Sequence, residues 1–311
     1  MTAKRILVTG SRGKVGREVV RRLLAAGHDV RGTDVRPPVY DAHEDNEIPY
    51  VKADLTVAGD AFAVVRDVDA VVHTAGIPEP RRNVAHEVFT TNVSSTFNVI
   101  EAMVAGGIPR LVNLSSDSVS GMTWAHRPFV AEVCPIDESL PDRAHDAYGL
   151  SKRVSELLCD AFVARSGGSA VSLRPTWVLT PDTYEANLRP FFEDPELTSA
   201  VFWAYIDVRD LADLIALCID HPNAGHEVVY AAAADNIGGR DLAAAVSRAH
   251  PEVDVRPLAR IDASGIDSSK AARLFGWTPR RSWRDHLDTH GRARDAVEPG
   301  PATDDSTGGT T

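Results

Sequence analysis

The chain has 311 residues, of which 43% are hydrophobic, and its formal net charge at pH 7 is −11. A chain of this length can bury one large core or one and a half. The acidic excess argues against nucleic acid or an anionic membrane as a partner, and no run approaches the roughly 20 apolar residues that a membrane span needs. The N-terminus runs directly into a predicted strand and not into a signal peptide, so we expect a cytoplasmic protein.

A strand, a glycine loop and a helix open the chain. Residues 4–9 are typical of a short buried strand, and apolar residues recur at helical spacing from Val15 onwards. Between them, Gly10 permits a sharp turn, Gly13 lets the backbone approach a pyrophosphate, and Gly16 allows the helix to pack closely on the strand. The phosphates of a dinucleotide would then lie at the positive end of the helix.

An acidic residue ends the second predicted strand, which covers residues 29–34. The Asp34 carboxylate can accept hydrogen bonds from both ribose hydroxyls of NAD and would repel the 2′-phosphate of NADP. Arg12 in the loop and Arg36 just past the strand could each contact a phosphate, or could be solvated surface arginines. NAD is therefore the expected cofactor, and NADP stays open.

Strands and helices alternate through the first half of the chain, as in a doubly wound parallel sheet. Further strands are predicted over residues 48–51, 68–73, 110–115 and 170–174, and helices over 61–66, 85–105 and 146–165. Ligands on such sheets bind outside the carboxyl ends of the strands, so the strand-terminal residues are the candidates for a site.

The pattern breaks after Pro175 into proline- and aromatic-rich sequence up to Tyr205. Beyond it we predict a helix over 208–219, a strand over 227–232, and helices over 240–250 and 270–275. The expected fold is α/β: a Rossmann-type doubly wound parallel sheet with a small C-terminal substrate lobe. Its expected divisions are a nucleotide-binding domain over 1–175 with sheet segments from 204–232, a lobe mainly over 176–293, and a disordered tail over 294–311.

A Tyr-x-x-x-Lys pair lies on the helix predicted over 146–165. Residues four apart share a helix face, so the Lys152 ammonium can lie near the Tyr148 phenol and stabilise its phenolate. A free tyrosine has a pKa of ~10, and a nearby cation lowers it toward the working pH. With the glycine loop, this pair indicates a hydride-transfer enzyme in which Tyr148 is the acid/base.

The three cysteines, Cys134, Cys159 and Cys218, are widely spaced and lack the spacing of metal ligands. We therefore expect reduced, structural thiols and no metal site.

Taken together, the motifs resemble those of the extended short-chain dehydrogenases/reductases, the group also called the NAD-dependent epimerase/dehydratase family, over residues 4–279. They are Thr9-Gly10-x-x-Gly13-x-x-Gly16, Asp54-Leu55, His73-Thr74-Ala75-Gly76, Thr91-Asn92-Val93, Ser115-Ser116, Tyr148-Gly149-Leu150-Ser151-Lys152, Arg174-Pro175, Tyr205-Ile206-Asp207-Val208-Arg209-Asp210 and Leu274-Phe275-Gly276-Trp277.

The resemblance assigns expected roles to individual residues. It implies that Asp54 and Leu55 contact the adenine, that Lys152 also holds the nicotinamide ribose, and that Pro175 abuts the nicotinamide. Thr74, Ala75 and Gly76 would line the diphosphate and ribose, and Ser116 matches the catalytic serine that bonds the reacting oxygen. The loop residues Lys14 and Val15 and the helical Asn92 are also expected near the cofactor. For Asn92 we favour capping or bending of its helix over a catalytic role.

The residues beside Ser116 distinguish the reactions of this family. Members that eliminate water from nucleotide sugars resemble one another in a Thr-Asp-Glu-x-Tyr-Gly stretch, whose Glu acts as a base. Ser118 stands at that Glu position here, so dehydration is disfavoured. Asp117 could be a substrate ligand, a weak acid or a turn former.

The predicted substrate segment between Arg174 and Tyr205 has only 30 residues, which is short beside nucleotide-sugar epimerases. This favours a small polyol, free sugar or sugar acid, with some similarity to the uronate dehydrogenase type. Arg189 could pair with a carboxylate, and Trp177 could stack on a sugar face or belong to the lobe core. The expected substrate-binding residues are Ile77, Ser116, Asp117, Trp177 and Arg189.

The predicted function is NAD-dependent reversible hydride transfer at a hydroxyl or carbonyl carbon of a sugar or sugar-acid-like substrate. Two alternatives stay open: a sugar or nucleotide-sugar 4-epimerase that retains its NAD, and a non-catalytic NAD(P)-sensing regulator. By the same resemblance, the helices at 85–105 and 146–165 are expected to pair across a two-fold axis into a homodimer.

Overall fold

The computed structural model describes residues 2–37, 48–221 and 224–294. Its strands are β1 (Arg5–Thr9), β2 (Asp29–Asp34), β3 (Tyr50–Lys52), β4 (Ala70–His73), β5 (Arg110–Leu114), β6 (Val133–Cys134), β7 (Ser169–Pro175), β8 (Val178–Leu179), β9 (Ile206–Asp207), β10 (His226–Ala231) and β11 (Asp254–Val255). Its α-helices are α1 (Lys14–Ala25), α2 (Ala58–Val64), α3 (Ala85–Gly106), α4 (Ala147–Ser166), α5 (Tyr184–Glu193), α6 (Val208–Asp220), α7 (Leu242–Ala249) and α8 (Ser269–Phe275).

Seven of these strands form one parallel sheet in the order β10-β7-β5-β4-β1-β2-β3. The chain builds outward from β1 through β2 to β3 and then returns to β4 on the other side of β1. Such a reversal leaves a crevice at the carboxyl ends of the strands, which is where ligands bind in doubly wound folds. The predicted fold class is confirmed.

Alternation along the strands divides the core between the two faces of the sheet. On β1, Ile6 and Val8 enter a cluster with α1, α6 and α8, which we call the α6-side cluster, and it includes Cys218. Leu7 enters a cluster with α2, α3 and α4, which we call the α4-side cluster, and it includes Cys159.

A third hydrophobic cluster, the lobe cluster, lies beyond the carboxyl ends of the strands and includes Cys134. Most of its members follow residue 178, but Met122, Ala131 and Ile136 also belong to it. The small lobe therefore draws on the segment between β5 and α4, ahead of the predicted boundary at residue 175. All three cysteine thiols are free and buried.

Some observed elements differ from the predictions, such as α2, which lies at Ala58–Val64 instead of residues 61–66. The third strand, predicted over 48–51, lies at Tyr50–Lys52. The segment after Pro175 contains α5, which the sequence does not announce because Pro190 lies inside this helix, where proline is normally disfavoured. The predicted tail over 294–311 lies outside the described residues except for Arg294. In the described part of the chain, no helix combines the length and apolar character of a membrane span.

Candidate active site

The loop between β1 and α1 fits a bound diphosphate. Gly10 has a φ of +64°, and a Cβ atom there would lie 2.8 Å from the Cα of Ala75. A Cβ atom on Gly16 would overlap the carbonyl oxygen of Gly10. Gly13 precedes α1 without a capping side chain, and the first turn holds no acidic residue. This helix end can therefore receive the phosphates of a dinucleotide.

Asp34 ends β2 beside this loop. Its carboxylate accepts the backbone N–H groups of Arg12 and Arg36, each at 3.1 Å, and still has lone pairs for ribose hydroxyls. The Arg12 guanidinium lies 4.0 Å from the centre of the Tyr50 ring and donates to the Pro37 carbonyl at 2.5 Å. Arg12 is only 5% exposed, so it is not a solvated surface arginine.

A cavity of about 450 Å³ opens beside the end of β2 and has room for a purine base. It is lined by Val35, Lys52, Ala53, Asp54 and Asp60. Asp54 lies at this cavity, and its contact with adenine stays a prediction. Leu55 is buried in the α4-side cluster behind the cavity.

The residues that follow β4 are fastened to β1. The Thr74 hydroxyl donates to the carbonyl oxygen of Thr9 at 2.7 Å. The Ala75 N–H donates to the side-chain hydroxyl of Thr9 at 3.2 Å. Across the crevice, the exposed Lys14 ammonium reaches the carbonyl oxygen of Val178 at 3.1 Å. Lys14 thus connects the glycine loop to the small lobe. Its neighbour Val15, by contrast, packs against the α6-side cluster.

Asn92 holds the loop that follows Gly76. Its side chain accepts the Ile77 N–H at 2.7 Å and donates to the Ile77 carbonyl at 3.1 Å. Of the two predicted roles of Asn92, capping is wrong, because α3 begins at Ala85 and Asn92 lies in its interior, and bending of the helix stays a prediction. A buried interior amide must find partners outside its own helix, and the strained loop at Gly76, with a φ of +148°, supplies them.

Ser116, Tyr148 and Lys152 meet where β5 ends and α4 begins. Asp146 caps α4 and accepts the Tyr148 N–H at 2.9 Å, which fixes the first turn. The Ser116 hydroxyl lies near enough to the Tyr148 phenol to favour its ionised form and lower its pKa. The Lys152 Nζ atom donates to the Leu114 carbonyl at 2.7 Å and lies 5.7 Å from the centre of the Tyr148 ring. Pro175 is buried at the end of β7, two strands from β4.

Burial governs the ionisation of this group. It raises the pKa of Tyr148, an effect that the Ser116 hydroxyl offsets only in part. It lowers the pKa of Lys152 to about 8, with the negative charge of Glu156 acting in the opposite direction. The expected lowering of the Tyr148 pKa by Lys152 is not found, because desolvation outweighs it and the ammonium is directed at the Leu114 carbonyl.

The Asp117 carboxyl faces the Ser116 hydroxyl. Its Oδ1 atom accepts from Ser116 at 3.2 Å and from Ser118 at 3.4 Å. Burial raises the pKa of Asp117 to about 6. The short 3₁₀ turn here is capped by Ser116, whose hydroxyl oxygen accepts the Ser118 N–H. Forming that turn therefore does not explain the Asp117 carboxyl.

The expected substrate-binding residues of the lobe, Trp177 and Arg189, do not form a cluster like that of Ser116, Tyr148 and Lys152. Trp177 is 40% exposed and makes an edge contact with Phe191, with ring centres 6.3 Å apart. Arg189 lies on an exposed face of α5, where it pairs with Glu193 at 2.7 Å and Glu185 at 3.8 Å. Two carboxylates of its own helix thus occupy this guanidinium, and the predicted contact with a substrate carboxylate finds no support in this arrangement.

One buried charge beside the site was missed by the sequence analysis. Glu156 is fully buried and bonded to Ser115 and Arg174. The signal that could have found it is spacing, because Glu156 lies four residues after Lys152 and eight after Tyr148, on the same helix face. Within the described ranges, no three His, Cys, Asp or Glu side chains are placed to hold a metal ion.

The parallel sheet, its crevice and the glycine loop define a Rossmann-type enzyme of the short-chain dehydrogenase/reductase class. The chain belongs to the NAD-dependent epimerase/dehydratase family, whose model matches residues 6–194. The resemblance predicted from the sequence motifs is thereby confirmed.

Three similar proteins are a uronate dehydrogenase, an L-arabinose dehydrogenase and a UDP-glucose 4-epimerase. The chain is 28% identical over 231 residues to uronate dehydrogenase of Pseudomonas putida, covering 73% of this chain and 76% of that protein. It is 34% identical over 184 residues to L-arabinose 1-dehydrogenase (NAD(P)(+)) of Haloferax volcanii, covering 57% and 68%. The structure of UDP-glucose 4-epimerase from Bifidobacterium longum with NAD+ and UDP shares the fold, with a TM-score of 0.67, 23% identity and coverage of 90% and 95%.

Proposed function

We propose that this chain is an NAD-dependent oxidoreductase that transfers hydride reversibly at a hydroxyl or carbonyl carbon of a small sugar or sugar acid. The observation that carries the proposal is the meeting of Ser116, Tyr148 and Lys152 at the carboxyl end of β5. Family membership supports NAD as the cofactor. Bound NAD supplies the hydride acceptor, and the protein supplies the proton carrier and the geometry.

Each of the three residues has a separate task. The Ser116 hydroxyl and Tyr148 hold the reacting substrate oxygen. Because burial raises the pKa of Tyr148, its own proton must first pass to solvent, and the resulting phenolate then accepts the substrate proton as the hydride leaves the carbon. Lys152 is buried, which strengthens its electrostatic effect on that phenolate. The proton on Tyr148 then returns to the carbonyl oxygen when the reaction runs backward.

Asp34 and the glycine loop are the features that support binding of the adenosine half of NAD. The two lone-pair positions of Asp34 that face away from Arg12 and Arg36 suit the ribose hydroxyls. Asp54 at the adjoining cavity suits the adenine.

The residues beside Ser116 favour hydride transfer without loss of water. Ser118 occupies the place of an eliminating base, and Asp117 is hydrogen-bonded to Ser116. Above pH 6 an ionised Asp117 accepts hydrogen bonds from substrate hydroxyls and repels a substrate carboxylate. An uncharged substrate group is therefore favoured over a carboxylate at the position beside Asp117.

An NAD-retaining epimerase is the second candidate, because it uses the same first hydride step and the chain shares its fold with a UDP-glucose 4-epimerase. A nucleotide-sensing regulator is the third candidate, and the presence of Ser116, Tyr148 and Lys152 together disfavours it. The cofactor content of the purified protein separates the first two, since stoichiometric NAD indicates an epimerase and an empty site a dehydrogenase.

The decisive experiment is a panel of free sugars, polyols, uronic acids and nucleotide sugars, followed by NADH absorbance and by mass spectrometry. We expect NADH formation with a free sugar or polyol and no product that has lost water. Activity confined to nucleotide sugars overturns the small-substrate proposal, and a dehydrated product overturns the proposed chemistry. Tyr148→Phe run in parallel shows whether the activity belongs to this site.

Homodimer formation is part of the proposal. Phe97 on α3 and Leu150 and Leu157 on α4 are 44%, 39% and 49% exposed. These two helices pack on each other and are joined by the ion pair of Glu101 with Arg165. Large apolar side chains at the surface of a packed helix pair are typical of a self-association face.

A further inference from the structure

A third residue shares the helix face of Tyr148 and Lys152. Glu156 follows Lys152 by one turn of α4, and its side chain is 0% exposed. A carboxylate without solvent must be paired and hydrogen-bonded to remain ionised. The identity of its partners therefore shows what it holds in place.

Both oxygens of Glu156 are occupied by groups from two other strands. The Oε1 atom accepts from the Ser115 hydroxyl at 2.7 Å and from Arg174 Nε at 2.8 Å. The Oε2 atom accepts from Arg174 Nη2 at 2.7 Å. The bidentate pair with Arg174 has the geometry of a strong charge-assisted interaction. We call these three bonds the Glu156 anchor.

The anchor ends on residues that adjoin the proposed active site. Ser115 lies between Leu114, whose carbonyl receives the Lys152 ammonium, and Ser116. Arg174 immediately precedes Pro175 at the end of β7. A single carboxylate on α4 thus ties the ends of β5 and β7 to the helix that carries the Tyr-x-x-x-Lys pair.

On this basis, and resting on the function proposed above, we propose that Glu156 is a positioning residue. It fixes the position of Ser116 beside Tyr148, and its negative charge stabilises the ammonium form of Lys152. It does not touch the reacting atoms, so it acts entirely through Ser115, Arg174 and Lys152.

The charges around Lys152 determine the direction of the expected effect. Tyr148 and Glu156 face it from α4 and His73 from β4. Two arginines act through Glu156: Arg174 of β7 at 2.7 Å and Arg153 of α4 at 3.5 Å from its Oε2 atom. His73 is neutral, because burial lowers its pKa to about 3. Loss of the Glu156 charge leaves Arg174 paired with Asp142 alone, at 2.7 Å, and both the lost negative charge and the weaker compensation of Arg174 favour loss of the Lys152 proton.

The fold has a second tie that should survive loss of the anchor. On β5, two residues before Ser115, the Asn113 side-chain amide donates to Ser155 on α4 at 3.2 Å and to Ser172 on β7 at 3.1 Å. These bonds join the same three elements without any charge. Glu156→Gln, which keeps the volume of the side chain, should therefore remain folded.

The first test reads the ionisation of Lys152 directly. The chain has five lysines, Lys4, Lys14, Lys52, Lys152 and Lys270, so carbon-13 labelling of lysine Cε gives few NMR signals to assign. We expect Lys152 to titrate near pH 8 in the wild type, and roughly one pH unit or more lower in Glu156→Gln. In Arg174→Gln the titration should move upward. Identical titrations in all three proteins overturn the charge part of the proposal.

The second test is the pH profile of kcat. In Glu156→Gln we expect the basic limb of this profile to move to lower pH. The kcat of the variant should be about tenfold below that of the wild type at pH 8, and the difference should become smaller as the pH falls. Ser115→Ala, which removes one bond and no charge, should lower kcat several-fold without moving the limb. Asp142→Asn is the matched control, since Asp142 bonds Arg174 Nη2 at 2.7 Å without reaching Ser115, and its limb should stay near that of the wild type.

Two results would count against the inference. Wild-type kcat in folded Glu156→Gln would remove the positioning role, and an equal loss at every pH would reduce Glu156 to a structural residue. Absence of activity in the wild type with every substrate would instead overturn the proposed function, because the lysine titration needs no substrate.

Discussion

The Nζ atom of Lys152 lies 5.7 Å from the centre of the Tyr148 ring, one turn further along the same helix. The ammonium donates its hydrogen bond to the Leu114 carbonyl, so we propose that it stabilises the phenolate formed in the reaction through space. We expect Tyr148→Phe to lower kcat by ~10² or more, which is the usual contribution of a positioned acid/base. Equilibrium binding of NAD, followed by fluorescence, should be nearly unchanged.

Lys152→Met is the companion variant. We expect it to reduce both kcat and NAD affinity, because Lys152 is proposed to hold the nicotinamide ribose as well as to act on Tyr148. Lys270→Met is the matched control, because the Lys270 ammonium donates to the Val228 carbonyl on β10 and does not belong to the group of Ser116, Tyr148 and Lys152. An NAD affinity equal to that of the wild type in Lys152→Met would remove the ribose contact.

Asp34 should decide the choice of cofactor. We expect the wild type to prefer NAD in kcat/KM, and Asp34→Ala to relax that preference toward NADP, because it removes the charge that repels a 2′-phosphate. Arg36→Ala in the same background tests whether Arg36 binds that phosphate. A wild-type preference for NADP would mean that Arg12 and Arg36 outweigh Asp34.

Asp117 should lower stability at neutral pH. Its pKa is raised by burial from 3.8 to about 6, which corresponds to roughly 3 kcal/mol. Because the folded-state pKa is the higher one, the stabilising contribution is complete below pH 3.8 and is lost as the pH rises through 6. Asp117→Asn should therefore raise Tm at pH 8 and have little effect near pH 4. A uniform change in Tm across this range would show that charge is not the cause.

The same variant should change the substrate preference. Without the Asp117 charge, we expect KM for a uronic acid to fall relative to KM for the corresponding neutral sugar, measured at pH 8. Ser118→Ala is the comparison variant, because it leaves the carboxyl in place and removes the hydrogen bonds of the Ser118 hydroxyl with Asp117 at 3.4 Å and with Ser116 at 3.0 Å. An equal change in both KM values would mean that Asp117 contacts hydroxyls alone.

Leu157 should be essential for self-association. We expect Leu157→Glu to convert a dimer to a monomer in light scattering at micromolar concentration, since it places charges against each other across the proposed two-fold axis. Phe62→Glu on α2, where Phe62 is 43% exposed, is the matched control. A wild-type mass near 33.5 kDa would contradict the proposed dimer.

The elements that carry a strong local pattern could be predicted from the sequence. The strand before Gly10 and the helix bearing Tyr148 combine periodicity with turn or capping residues, and both form where they were expected. The helix α5 could not be predicted, because Pro190 argues against it locally and only burial of Tyr184 and Leu188 in the lobe explains it.

The local environment of the site residues was harder to predict. The direction of the Tyr148 pKa depends on desolvation, which spacing along a helix does not reveal. Arg189 was singled out by its aromatic neighbours, yet Glu185 and Glu193 lie one helical turn to either side and form ion pairs with its guanidinium. Glu156 was overlooked because its partners, Ser115 and Arg174, come together only in the folded sheet.

The distribution of the cysteines gives this fold a set of internal reporters. Each hydrophobic cluster contains one thiol: Cys134 in the lobe cluster, Cys218 in the α6-side cluster and Cys159 in the α4-side cluster. Burial raises the pKa of each to about 12, so a thiol reagent reacts only after the surrounding cluster has opened. Labelling each cysteine in turn under native conditions therefore measures how often each part of the molecule opens, and shows whether the lobe opens independently of the sheet.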